Sequence, residues 1–382
     1  MLWDRAIHQN VPVLLYWRLK SLQPKPIPAH IEEKMKSMAI AKARVSLMQQ
    51  YYLGKLLLAF QSHAIPMILL KGSYLREIVY QDISLRNIAD VDILVQTADL
   101  ERTLELLHDL GYSAQSAPLK VLLTSKDPLP YRSYTTVNVD IHWTIDQRRG
   151  VNRINETGLW QRAGEATVAK VKIKSLATED LLLHLCLHNS SRHSFVMMLR
   201  SICDIQQVLI HFAPELDWQR VLERAREWNA SRSLYLNLYL AQELLGAEIP
   251  QEVLEQIKPP DFSPEIEQTV LDRIFVEKSR PKDLTTPFAR GTRSLSLGSA
   301  IHTFKEYVFP APDKLARMFF VNPSKPKIYF FYPLRWADLI HRWGKTIWQL
   351  SFREKKTVAS LKEAHEEIAE KDWLEQWLFP ES

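Results

Sequence analysis

Cysteine, glycine and charge of one sign are all scarce in this chain. Among 382 residues the only cysteines are Cys186 and Cys203. That excludes a disulfide framework and a four-cysteine zinc site, and it fits a reducing, cytoplasmic compartment. Ten glycines exclude collagen-like and glycine-rich repeat architectures. Lys and Arg number 49 against 44 Asp and Glu, a net charge of +5, far below the density of a protein that coats nucleic acid. The apolar stretch at residues 64–70 is only about a third of a membrane span, so no transmembrane segment is expected. Asp4, Arg5 and Arg18 surround the short apolar run at residues 11–17, with no small-residue cleavage site behind it, so no targeting segment is read there.

What is present is an ordinary globular composition, 46% hydrophobic and 24% charged, long enough for two or three packed units. Helical spacing of Met35, Met38, Ala39, Val45, Met48 and Tyr52 predicts a long helix over residues 31–63. Residues 67–70 read as a buried strand entering a Lys71-Gly72-Ser73 turn, followed by a short helix over 74–80. Residues 91–95 read as a second buried strand, and Leu100, Leu104, Leu107 and Leu110 as a helix that Gly111 ends. One or two strands are expected in 131–145, and the alternation of Ala169, Val171 and Ile173 with lysines predicts an edge strand. After Leu176 the period turns helical, with Thr178 as N-cap and helices near 179–190, 196–211, 217–228 and 231–245. This divides the chain into an N-terminal helical segment (1–60), an α/β core (61–175), a helical domain (176–260) and a basic, Trp-rich helical region (261–382).

Three acids belong together. Asp90 and Asp92 stand at i and i+2, on one face of an apolar strand, and Asp140 interrupts a second apolar strand. Burying carboxylates costs several kcal/mol unless a cation compensates them. A divalent cation is therefore invited, and Mg²⁺ fits best because it takes oxygen ligands and shares its sphere with substrate phosphates. Gly72 and Ser73, directly after a strand and before a helix, suit a phosphate cradle. Strand, Gly-Ser turn, helix, Asp-x-Asp strand and a later Asp strand form a combination more specific than any of its parts.

Leu70-Lys71-Gly72-Ser73, Arg86, Asp90-Val91-Asp92-Ile93 and Asp140-Ile141-His142-Trp143 resemble the DNA polymerase β superfamily of nucleotidyltransferases, and more narrowly its poorly characterised bacterial branch. Gly111-Tyr112, His188 and Asp204 extend the resemblance, which covers about residues 60–260. Sixteen residues separate Ser73 from Asp90, longer than the superfamily's usual gap, and the third acid varies within the branch. The resemblance implies an α+β fold: a polymerase β-type core, with a mixed sheet flanked by helices, followed by an all-helical C-terminal region. It implies that Asp90, Asp92 and Asp140 bind two Mg²⁺ ions and carry the chemistry. Gly72 and Ser73 would hold the β- and γ-phosphates, with Lys71 and Arg86 as further phosphate contacts. The activity implied moves an NMP group from an NTP to a hydroxyl acceptor (a protein, a sugar or other small molecule, or an RNA end) and releases pyrophosphate. A non-catalytic nucleotide-binding or regulatory module, and an antitoxin-like protein that nucleotidylates a partner protein, are the alternatives.

Other clusters carry less. His184 and His188 have zinc-pair spacing, but Leu185 stands where a metalloprotease has Glu, so they read as structural. His142 reads as hydrogen-bonded within the sheet and Trp143 as core. Arg335 and His341 fit a short ribonuclease-like spacing that arises readily by chance. Residues 282–360 hold 14 Lys and Arg against 5 Asp and Glu, more positive than the whole chain. There Trp336, Ile340, Trp343, Ile347 and Leu350 form an apolar stripe beside Arg335, Arg342, Lys345 and Arg353. Such a segment, residues 335–353, can dock on its own protein or lie peripherally on an anionic membrane surface.

Overall fold

The computed structural model describes residues 2–22, 27–80, 82–114, 128–133, 137–146, 154–196 and 199–276, and further on 308–312, 315, 326–337, 339 and 355–380. The chain divides into two compact units, one of residues 1–114, 126–276 and 378–382, the other of residues 115–125 and 277–377.

The first unit opens with helices α1 (Leu2–His8), α2 (Pro12–Leu22) and α3 (Ala29–Ser62). The sheet strands are β1 (Met67–Leu69), β2 (Val91–Val95), β3 (Ser113–Ala114), β4 (Leu129–Arg132), β5 (Val139–His142), β6 (Gly164–Val168) and β7 (Val171–Ser175). Helices α4 (Lys71–Ile78), α5 (Leu100–Asp109) and α6 (Glu156–Arg162) lie between them in the chain. Strand order is β3-β4-β5-β2-β1-β7-β6. Within it β1 and β2 are antiparallel, while β2–β5 and β1–β7 are parallel, so the sheet is mixed. β1 and β2 are buried throughout, as continuous apolar runs at the centre of a covered sheet should be.

After β7 every described element is a helix: α7 (Thr178–Leu187), a π turn (His188–Arg192), α8 (Leu199–Phe212), α9 (Trp218–Glu227), α10 (Ser231–Leu245), α11 (Gln251–Ile257) and α12 (Pro264–Phe275), then α13 (Lys355–Leu378) near the C-terminus. The fold is α+β, a mixed sheet flanked by helices with a helical C-terminal region, as expected. Pro250 stands at the cap of α11 and Pro264 begins α12. These prolines start helices, where their missing N–H costs nothing.

Three local expectations are corrected. β7 is not an edge strand: it lies between β1 and β6, and β6 forms the edge. Its lysines occupy the exposed face of an alternating strand. Ala169 and Lys170, at φ +46° and +67°, make the two-residue turn of the β6–β7 hairpin. Thr178 is the first residue of α7 rather than its cap, Ala177 holds that place, and no side chain caps the helix. The adjacent acids are buried in ion pairs instead, with Arg224 on Glu179 and both Arg162 and Arg224 on Asp180. On α3 the expected apolar face is rotated. Met35 is buried, but Val45 and Met48 are exposed, and the core is made by Leu53, Leu56, Leu57 and Phe60.

In the second unit, Phe331 and Tyr332 pack on buried Leu315 and Ile328. Trp336 donates its Nε1–H to the Val308 carbonyl at 3.0 Å and meets the Phe309 ring edge-on, while Arg335 is buried. At those two positions the tail turns toward its own unit. The rest of the basic stripe, from Ile340 to Arg353, lies outside the described residues. Among the described residues no helix is long and apolar enough to cross a membrane.

The rotated face of α3 has a measurable consequence. Leu57→Ala should lower unfolding free energy by about 2–5 kcal/mol, whereas Met48→Ala should change it by less than about 0.5 kcal/mol. Equilibrium urea unfolding of the two variants checks this, and similar losses in both would count against the face assigned here.

Candidate active site

The site is assembled at the ends of the central strands. β2 and β5 run parallel with Asp92 opposite Asp140 and Ile93 opposite Ile141. Side chains at one register of neighbouring strands emerge on the same face, so the two carboxylates are lateral neighbours. Asp90 precedes Asp92 by two residues and joins them. β1 lies on the other side of β2, and its continuation brings in the Lys71-Gly72-Ser73 turn. The Leu70 N–H donates to the Asp92 carbonyl at 2.9 Å, and the Ser73 hydroxyl donates to the Asp90 carbonyl at 3.3 Å.

The turn differs from the sequence reading in detail. α4 starts at Lys71, and Lys71 itself, not a glycine, takes the left-handed conformation with φ +47°. That conformation is disfavoured for a residue with a Cβ. Here it accompanies an ion pair in which Lys71 Nζ lies 2.7 Å from Asp92 Oδ1. Gly72 is needed for a different reason. A Cβ there would come within 3.0–3.1 Å of the Arg86 guanidinium.

Arg86 is buried. Its Nε and Nη2 fork onto the two oxygens of Asp204, both at 2.8 Å, and its Nη1 donates to the Asn87 carbonyl. The Tyr80 hydroxyl donates to the same Asp204 at 2.7 Å. The fork expected to reach phosphate thus grips a carboxylate on α8, so the loop before the acids is fastened to the helical part of the unit.

Asp92 is the most constrained of the three acids. Burial alone would raise its carboxyl, but the Lys71 ammonium and the His142 hydrogen bond outweigh it and hold it well below the usual carboxylate range. His142 Nε2 lies 2.8 Å from Asp92 Oδ1. Burial and then Lys71 pull His142 down, so the ring is neutral and donates from Nε2. The expectation of a hydrogen bond within the sheet holds, and its acceptor is a site carboxylate. Asp140 pairs with Arg132 Nη1 at 3.1 Å. Asp90 is pushed up to about 6, first by burial, then by the Asp92 and Asp140 charges. Three carboxylates compete for too little positive charge.

A cavity of about 310 Å³ opens onto this edge. Lys71, Gly72, Arg86 and the three acids line it from the sheet side, and Ser73 is buried behind the turn. His188 and Arg192 from the π turn, His193, and Arg200, Ser201 and Asp204 from α8 line it from the helical side. Among the described residues no group of three or more His, Cys, Asp or Glu side chains is arranged to hold a metal ion as it stands, and Lys71 and Arg132 sit on two of the acids. The donor set is all carboxylate oxygen, the kind Mg²⁺ takes. The crowding that lifts Asp90 is what a divalent cation would relieve. Asp90, Asp92 and Asp140 could therefore hold one after Lys71 and Arg132 swing away.

A family model described as an uncharacterised nucleotidyltransferase matches residues 1–246. The chain belongs to that family. It is thereby an enzyme family that transfers phosphorus-containing groups and binds a nucleotide substrate. No curated protein and no solved structure shows a match to the chain. The matched stretch of this nucleotidyltransferase holds every residue lining the cavity.

Several cavity residues escape a reading of the sequence. Arg192 and Arg200, and Arg132, which pairs with the cavity acid Asp140, belong to no motif and arrive only through long-range packing. His188 and Asp204 were singled out, and both line the cavity. His184 is fully buried with neither ring nitrogen hydrogen-bonded, and burial pushes it down to about 3. It is a neutral core histidine, as its structural reading expects.

The crowding at Asp90 sets a pH dependence. Its folded value of about 6 lies above the unfolded value near 3.9, so folding penalises the charged form increasingly as pH rises between the two. In metal-free protein, Asp90→Asn should leave stability unchanged near pH 4 and raise it at pH 8 by on the order of 1 kcal/mol, less than the full linkage value because the side chain is partly solvated. Urea unfolding in EDTA at both pH values checks this, and a pH-independent difference would contradict it.

Proposed function

We propose that this protein is a Mg²⁺-dependent nucleotidyltransferase of the polymerase β type, moving an NMP group from an NTP to a hydroxyl acceptor. The observation that carries the reading is the pairing of Asp92 with Asp140 across two parallel strands, with Asp90 beside them and the Gly72-Ser73 turn on the neighbouring strand. Asp90, Asp92 and Asp140 are the residues that would hold two Mg²⁺ ions. Bound there, the metal would supply charge neutralisation for the attacking oxygen and for the departing pyrophosphate.

The rest falls to the chain itself. The acceptor oxygen forms a bond to the α-phosphorus, the bond from that phosphorus to the β-phosphate oxygen breaks, and pyrophosphate leaves with the electron pair. The acceptor's proton must go to a base. The cavity opens to solvent and can pass it to water, since all three acids would be holding metal. Lys71, released from Asp92, becomes a cation for the phosphates, and its left-handed backbone already stands at the mouth of the turn. His142 keeps Asp92 oriented by its hydrogen bond. Ser73 fixes the Asp90 backbone relative to the turn, which sets the spacing between the phosphate-binding and acidic halves of the site.

The test is direct. Purified protein is incubated with each α-labelled NTP, Mg²⁺ and cell extract, beside an Asp90→Ala/Asp92→Ala double variant. Label should move to an acceptor with the native protein and fall by at least about a thousandfold with the variant, as expected when charge stabilisation in the transition state is removed. Equal labelling by both proteins would sink the proposal. Binding of NTP with no transfer to any acceptor, and no change on adding Mg²⁺, would favour a regulatory nucleotide-binding module.

A further inference from the structure

The cavity is lined by a cation, Arg200, that forms no ion pair among the described residues. Arg200 lies in the first turn of α8. Its natural partner on the same helix is Asp204, at i+4. That carboxylate is already taken. Asp204 Oδ1 accepts from Arg86 Nε at 2.8 Å and from the Tyr80 hydroxyl at 2.7 Å, and Oδ2 accepts from Arg86 Nη2 at 2.8 Å and from Nε at 3.1 Å. A carboxylate offers about four acceptor positions, and these four contacts fill them. Among the described residues Arg200 makes no hydrogen bond and no ion pair. Burial, followed by the neighbouring Arg86 charge, pulls its guanidinium down to about 10, an unusual condition for a group that is otherwise always charged.

A partly buried guanidinium beside another guanidinium is costly unless an anion joins it. His188 and Arg192 on the π turn and Ser201 on α8 line the same cavity, and π turns are common at functional sites. The three acids line the same cavity. A ligand held there would need negative charge toward Arg200 and metal-binding oxygens toward the acids.

We propose that Arg200 is a phosphate-binding residue, gripping the polyphosphate of the incoming nucleotide through its fork, while Arg86 serves as the buried strut that positions it. This inference rests on the nucleotidyl-transfer reading for the identity of the anion, and it reassigns the phosphate fork from Arg86 to a residue outside every sequence motif.

The test uses the full chain and calorimetric titration with orthophosphate, tripolyphosphate and ATP, all in EDTA so that metal plays no part. Arg200→Gln should weaken tripolyphosphate and ATP binding by about 10- to 100-fold, the loss expected for a charge-assisted bidentate contact. Arg200→Lys should recover part of that loss, because charge returns without the fork. Thermal melts establish that each variant folds, and if Arg200→Gln does not, the Lys variant carries the comparison with an expected loss of several-fold. Unchanged tripolyphosphate affinity in a folded variant overturns the assignment. If the native chain binds tripolyphosphate through Arg200 but transfers no nucleotide to any acceptor, the phosphate site stands and the nucleotidyl-transfer reading falls. Failure of the native chain to bind either tripolyphosphate or ATP overturns the assignment outright.

Discussion

Like charge held at one edge of a sheet has to be balanced, and that constraint organises this molecule. The register that sets Asp92 beside Asp140, with Asp90 two residues away, places three carboxylates along one cavity. The protein answers with one cation for each of two acids, Lys71 on Asp92 and Arg132 on Asp140. Asp90 receives no such partner among the described residues and titrates near 6. A set of carboxylates this close is costly for stability alone, because replacing ion pairs by packed apolar groups is often neutral or favourable. A site under electrostatic tension is the usual mark of a binding or catalytic role. Here the tension is the kind that a polyvalent cation relieves.

The second layer is the Arg86–Asp204 pair. It joins residues 118 apart in sequence, is buried, and lies so close to Gly72 that a Cβ there would press on the Arg86 guanidinium at 3.0–3.1 Å. One interaction thereby fixes the loop before the acids, the first turn of α4 and the start of α8. Removing either partner would strand a buried charge at a cost of about 3–5 kcal/mol. The pair also determines what is left over, since an Asp204 saturated by Arg86 and Tyr80 leaves Arg200 facing the cavity.

The sequence makes some of this legible and hides the rest for physical reasons. β1, β2 and β5 can be read because strands buried on both faces are written as apolar runs, and an Asp inside such a run is conspicuous. The helices after Leu176 can be read from their period, and the described boundaries fall within a few residues of the spacing. β6 cannot, because Gly-Glu-Ala-Thr-Val is an exposed edge strand that owes its pairing to β7. The face of α3 cannot either, because a 34-residue helix contacts different neighbours along its length, and one period does not describe them all. At the site, residue types are legible and partners are not. Nothing local to Arg86 says that its fork will meet Asp204, and nothing local to Arg200 says that its i+4 acid will be occupied.

Lys71 links the balanced state to a working one. Its ammonium lies at 2.7 Å from the Asp92 oxygen, in the position where a metal's charge would act. It therefore keeps the acids from repelling one another before substrate arrives. On the proposed reading a nucleotide would bring both a divalent cation and phosphate charge, so the exchange would be nearly neutral: Asp92 would hold the metal in place of Lys71, and Lys71 would be freed for the phosphates. The left-handed backbone at Lys71, unfavourable for most residues with a Cβ, is understandable on these terms, since it accompanies the ion pair that ties the Lys71-Gly72-Ser73 turn to the acidic strand.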